Sequence, residues 1–222
     1  MRDIILLIIK DIKIQFRSHE LLFEMIILGL LLILITGFAF GPEFSEPENM
    51  AAGSIWIALS FVTVINLSRS FLIEREGDCL KALLLTGIDP GKLFLSKFLS
   101  SFLLINMAAI IIVPASLIAF KMMQLSFLLP LMFVVLLGTI GYGSVGVILA
   151  AMNNSPKSGE NFLAVILFPI IMPLIIFAVK ASKILFANGC LTKATNAIVF
   201  LMIYDFVFIV ISYLLFDQII ED

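Results

Sequence analysis

Long apolar blocks broken by short polar runs account for most of this chain. The blocks fall at residues 21–40, 51–71, 98–120, 127–152, 162–179 and 197–216. A helix needs about 20 apolar residues to cross a hydrocarbon core about 30 Å thick, so each block reads as a transmembrane span. The fifth is short and the fourth long, which leaves their ends soft. The block at 21–40 is too long for a signal peptide and lacks a small-residue cleavage pattern after it. It is expected to remain as a span. The fold class that follows is all-α: a polytopic membrane protein of six transmembrane helices, with residues 1–222 forming one transmembrane domain.

Residues 1–17 follow a different pattern. Asp3, Lys10, Lys13 and Arg17 recur at steps of seven, three and four and share one helical face, with Arg2 nearby. Isoleucines and leucines fill much of the rest. Such a helix is expected to lie along the cytoplasmic interface with its cations towards anionic headgroups. The competing reading is that these charges only orient the first span. Asp11 and Gln15 break the pattern by falling towards the opposite side. Ser18, His19 and Glu20 would turn the chain into the membrane. His19 is the only histidine and has no second ligand in sequence, so it reads as solvated or facing headgroups.

The one long charged segment runs from residue 69 to 97. It carries five of the fourteen Lys and Arg residues, together with Glu74, Glu76, Asp78 and Asp89. Asp78 is placed as the N-cap of a short helix over 79–86 that Gly87 would stop. Leu80, Leu83 and Leu84 would share a face of it. Asp89 followed by Pro90 reads as a second helix start, running through Lys92 and Lys97 into the third span. An ordinary solvated loop is the alternative; two capped starts and a leucine face favour a folded cytoplasmic coupling helix within residues 72–92. Flanked by apolar blocks and joined to no soluble domain, this element offers a docking surface and no nucleotide site.

Charge then sets the orientation. With the N-terminus inside, ten cations lie on cytoplasmic segments, against Lys121, Lys180, Lys183 and Lys193 outside. The positive-inside bias therefore places both termini in the cytoplasm. Composition agrees with the class, with 62% hydrophobic and 14% charged residues, where soluble chains average about 45–50% and about 25%. Cys79 falls inside and Cys190 outside, so they cannot pair, and neither belongs to a CxxC motif.

Few polar residues remain within the spans. Glu24, one turn into its block, is placed to reach back to the interface. Asp205 falls near the middle of the sixth block, beside Tyr204, where an ionisable group normally faces the bundle interior. An internal hydrogen bond is expected for it, to Tyr204 of a neighbouring protomer, to Asn66 or to Asn106. Gly138, Gly141, Gly143 and Gly146 crowd the fourth block. Their GxGxxG string follows no strand, so it reads as close helix packing rather than a dinucleotide site. Pro169 and Pro173 each remove a backbone donor and should kink or break the fifth span. Residues 153–160 read as a cytoplasmic turn, and residues 180–196 as an outer segment with room for a short surface or re-entrant helix. HExxH, GxSxG and phosphate-loop motifs are absent from the sequence, so catalysis is not expected of this subunit.

Taken together, these features resemble the membrane subunits of ABC-2-type exporters, and more narrowly the CcmB family, haem exporter protein B of cytochrome c maturation. The matching residues are Gly41-Pro42-Glu43, Ile55-Trp56-Ile57-Ala58, then Arg69, Phe71, Glu74, Gly77, Leu83, Leu84, Leu85 and Lys97. Gly138-Thr139 follows, and then Phe168-Pro169-Ile170-Ile171-Met172-Pro173-Leu174-Ile175-Ile176-Phe177-Ala178. Thr86-Gly87 stands where the family often has a proline. The resemblance implies a non-catalytic permease subunit of the bacterial inner membrane, dimerising within a complex with the ATPase CcmA and with CcmC, CcmD and the haem chaperone CcmE. It implies coupling of ATP hydrolysis to release of haem-loaded CcmE. Haem would be handled by the partner subunits, with no cofactor bound here and no nucleic-acid partner. The docking residues would be Glu74, Glu76, Asp78, Leu80, Leu83 and Leu84. A generic ABC-2 exporter of lipid, polysaccharide or drug, and a membrane scaffold without energy transduction, are the competing readings.

Overall fold

The computed structural model describes residues 2–18, 20–40, 47–76, 88–122, 125–152 and 161–221, and within them the side chains of 4–14, 21–39, 47–70, 88–122, 127–152 and 165–219. The described elements are α1 (Arg2–Ser18), α2 (Glu20–Phe40), α3 (Pro47–Glu76), α4 (Pro90–Ala119), α5 (Leu125–Met152), α6 (Asn161–Asn188), a 3₁₀ turn (Leu191–Ala194) and α7 (Thr195–Glu221). Six stretches, one in each of α2 to α6 and one over the turn and α7, are long and apolar enough to cross a membrane. The six blocks expected from hydropathy are all present.

Local chemistry explains where several helices begin. Pro47 opens α3 with Glu48 in its first turn, where a missing N–H costs nothing and a negative charge meets the positive helix end. Asp89 caps α4: its carboxylate accepts a hydrogen bond from the Gly91 N–H at 2.8 Å, and Pro90 is the first helical residue. The expected second start is therefore observed, and α4 runs unbroken through Lys92 and Lys97 into the membrane.

Pro169 and Pro173, expected to kink or break this helix, do not interrupt α6, which is continuous from Asn161 to Asn188. One expectation changes. Most of the expected outer segment is also helix: α6 carries Lys180 and Lys183, and only the four-residue turn Leu191–Ala194 precedes α7. The reason is tertiary, since Ala178, Ala181, Ser182 and Leu185 continue the buried face of α6 beyond the apolar block. Gly189 ends the helix at φ +67°, its N–H bonded to the Leu185 carbonyl at 2.7 Å, in the left-handed conformation that glycine adopts without strain.

The core forms around α5, which packs on α3, α4, α6 and α7. Every residue from 141 to 151 is buried. Its glycines let neighbouring helices approach: a Cβ at Gly138 would meet the Trp56 ring, and one at Gly146 would meet Leu67. Helix α2 lies outside, against α3 and α4, in a separate cluster around Met25, Ile33, Val62 and Ile112. Phe38, Phe206 and Leu214 point outward.

Gly138→Val should overpack the Trp56 site and cost about 1–3 kcal/mol. Gly53→Ala, where a new Cβ meets nothing within 4 Å, should leave stability unchanged to within about 1 kcal/mol. Thermal unfolding in detergent, followed by the fluorescence of the single tryptophan, separates the two outcomes.

Candidate functional site

The functional candidates gather at the end of the bundle that bears α1, the end of α3 and the start of α4. Glu74 and Glu76 occupy the last turn of α3, where the backbone is described and the side chains are not. Asp78, Leu80, Leu83 and Leu84 lie outside the described residues, as do His19, Cys79 and the turn over 153–160. The described part of the site is thus its frame: α3 leading in and α4 leading out. Ile88, partly buried, packs onto the main core just before the Asp89 cap.

Two ion pairs hold this frame. Arg69 Nη2 lies 2.6 Å from Glu24 Oε1, joining α3 to α2, with both side chains partly exposed. Glu24, one turn into its block, is thus held by an arginine of the neighbouring helix. The second pair is buried. Lys97 Nζ is 3.0 Å from Asp11 Oδ2, with side-chain exposures of only 2% and 5%. Lys10 Nζ approaches the other carboxylate oxygen at 3.3 Å, and Ser100 Oγ donates to Oδ2 at 3.4 Å. Asp11 therefore faces the protein, and the misfit in the amphipathic pattern is the residue that docks α1. That misfit was the available signal, but its partner could not be chosen from sequence.

Deeper in the bundle, neutral polar pairs replace charges. Trp56 Nε1 donates to Ser182 Oγ at 3.0 Å, joining α3 to α6. The hydroxyls of Ser60 and Tyr142 are 2.7 Å apart, joining α3 to α5. Asn106 Nδ2 donates to Thr139 Oγ1 at 3.0 Å, and Ser212 Oγ to the Ser144 carbonyl at 2.9 Å. Pro173 withholds the donor that would meet the carbonyl of Pro169, and the next carbonyl along, that of Ile170, accepts from the Tyr204 hydroxyl at 2.9 Å.

Asp205 forms neither of the two hydrogen bonds expected within the chain, to Asn66 or to Asn106. It is buried, yet neither carboxylate oxygen finds a hydrogen-bond partner among the described residues. Tyr204 is committed to Ile170 and Asn106 to Thr139, while Asn66 is itself buried without a partner. Asp205 lies against Gly141 instead: a Cβ added there would fall 2.7 Å from Oδ1 and would collide with Leu174.

Sequence comparison gives this frame its context. The family model described as CcmB protein matches residues 2–217. The chain belongs to the CcmB family. It is 25% identical over 180 residues to the Heme exporter protein B of Haemophilus influenzae, covering 81% of this chain and 80% of that protein. It is 24% identical over 172 residues to the Heme exporter protein B of Pseudomonas aeruginosa, covering 77% and 76%. The protein of that name from Bradyrhizobium diazoefficiens is 24% identical over 185 residues, covering 80% and 79%. The resemblance drawn from residue patterns is confirmed, and this CcmB-family chain is a multi-pass membrane protein.

Because the Asp205 carboxylate has no hydrogen-bond partner among the described residues, replacing it by an apolar group of similar shape removes none of their contacts. Asp205→Leu and Asp205→Asn should both accumulate in membranes as the native protein does, with stability within about 1 kcal/mol of native or above it. Quantitative immunoblotting and melting temperature check this. Loss of function in a well-folded Asp205→Leu would then report on the carboxyl group itself.

Proposed function

We propose that this chain is the permease subunit of a cytochrome c maturation ABC transporter complex, with the coupling segment between α3 and α4 as its ATPase-docking element. The match to the CcmB family over residues 2–217 carries the reading. ATP hydrolysis by the partner ATPase CcmA drives release of the haem-loaded chaperone CcmE, with CcmC and CcmD in the same assembly and a second copy of this chain beside the first. The subunit is non-catalytic, and its partners handle the haem. It resides in the bacterial inner membrane with both termini in the cytoplasm. Six spans place α1 and the end of α7 on one side, where the cations of α1, Arg69, Lys92 and Lys97 also gather.

The frame supports this role physically. Helix α4 has 30 residues, a length of about 45 Å at 1.5 Å per residue, so it exceeds the hydrocarbon core. Its first turns project on the docking side and continue directly into the span. In this reading Leu80, Leu83 and Leu84 would supply the apolar contact with the ATPase, and Glu74, Glu76 and Asp78 its polar rim. Replacing the three leucines by Asp should reduce copurification of the ATPase by about tenfold or more, because a charge buried at such a contact is strongly unfavourable. Undiminished copurification of a normally inserted variant overturns the docking assignment.

Orientation has its own test. Cys190 is exposed at the end of the bundle away from α1, between α6 and the 3₁₀ turn. Its Sγ is 3.1 Å from Thr192 Oγ1, and this hydrogen bond is the main cause of a thiol pKa below the ordinary value, with Lys193 adding a smaller effect. A lowered pKa raises the thiolate fraction at any given pH near neutrality. A membrane-impermeant maleimide added to spheroplasts should label Cys190 without permeabilisation, and Thr192→Val should slow that labelling at neutral pH. Labelling only after permeabilisation inverts the topology.

A further inference from the structure

Helix α1 is connected to α2 through residue 19, yet its packing is mainly on α4. The contact between them is ionic and buried. Asp11 is held by Lys97 at 3.0 Å, by Lys10 at 3.3 Å and by the Ser100 hydroxyl at 3.4 Å, with Leu7 buried one turn before it. On α4, Ser96, Ser100 and Ser101 are buried and small, which lets α1 come close to the α4 backbone at this level. The rest of α1 looks outward, with Ile5, Leu6, Ile9 and Lys13 exposed.

Lys97 sits about two turns into α4, at 3.6 residues per turn, and α4 begins directly after the coupling segment. The same turns of α4 are braced on another side by α7. Phe94 meets Phe216 at 5.4 Å between ring centroids, and Gly91 leaves room for the Tyr213 ring. Lipid competes on equal terms with an apolar helix contact, whereas sliding α1 along α4 would pull apart two charges that the protein has already desolvated and that hold each other. The joint between α1 and α4 therefore resists sliding in a way that apolar packing alone does not.

We propose that Asp11 and Lys97 are positioning residues that make α1 and the first turns of α4 move as one body, so that displacement of the segment preceding α4 is carried into α1. The inference rests on the reading of that segment as the ATPase-docking element. The joint itself is read independently of any partner.

The test uses the purified complex in lipid nanodiscs. It compares the native protein with Asp11→Asn, with Lys97→Met, and with the double variant Asp11→Leu/Lys97→Met. Each single variant leaves one buried charge without the other member of the pair, and these are the ones at risk of misfolding. The double variant leaves none, so it folds with an apolar contact in place of the joint. In it, α1 is held to α4 only by apolar packing, for which lipid competes, so tryptic cleavage after Lys13 should rise by about tenfold or more as α1 opens more often. The ATPase should stay bound and hydrolyse ATP, while release of the haem-loaded chaperone per ATP falls by a similar factor. Native-like protection of Lys13, or native-like release, in the double variant overturns the proposal. Failure of the docking assignment shows elsewhere, as retention of the ATPase by the leucine-to-aspartate variants.

Discussion

The indole of Trp56 organises the centre of this bundle. It is fully buried in α3, fills the space that Gly138 leaves on α5, and donates its N–H to Ser182 on α6. The Tyr142 ring lies 6.2 Å away, and the Tyr142 hydroxyl bonds to Ser60 one turn further along α3. Three helices are thus registered around one side chain. In a bilayer, lipid tails are as apolar as leucine, so helices find their register through close packing and hydrogen bonds. A large rigid ring in a glycine notch with a satisfied N–H supplies both.

The other interfaces repeat that logic on a smaller scale. Ser54 and Ser116 join α3 to α4, Asn106 and Thr139 join α4 to α5, Ser144 and Ser212 join α5 to α7, and Ile170 and Tyr204 join α6 to α7. Each such bond is worth about 0.6 kcal/mol on average in a membrane, so it fixes register more than it holds the bundle together. Both described ion pairs between helices lie instead at the end bearing α1. Neutral bonds suit the interior, where an ion is costly, and charges suit the end that meets headgroups and water.

That division bears on transmission of motion. The proposed docking element lies between α3 and α4 in the chain, and α4 is tied to α1 by a buried ion pair and to α7 by Phe94 and Tyr213. Helix α6 packs directly on α3 and makes its polar contacts through Ser182, to Trp56 of α3, and through the Ile170 carbonyl, to Tyr204 of α7. Its prolines leave it continuous. Outward transmission through α6 would therefore proceed by bending or shifting a continuous helix.

Hydropathy and helix-end chemistry are local properties, and the sequence by itself determined what depends on them. The six spans, the capped start of α4 at Asp89-Pro90, the family and the oddity of Asp11 were all legible along the chain. Pairing between helices is not local. Trp56 and Ser182 stand 126 positions apart, and nothing near Asp11 in sequence names Lys97 as its partner. The apolar block of α6 ended too early because the buried face from Ala178 to Leu185 passes through Lys180, Ser182 and Lys183, which a hydropathy reading treats as an exit from the membrane. Asp205 was legible as a buried acid, but its want of a hydrogen bond was not. Only the tertiary structure decides which groups surround a side chain, because in lipid that choice falls to steric fit at glycines such as Gly141 and to single polar contacts between distant segments.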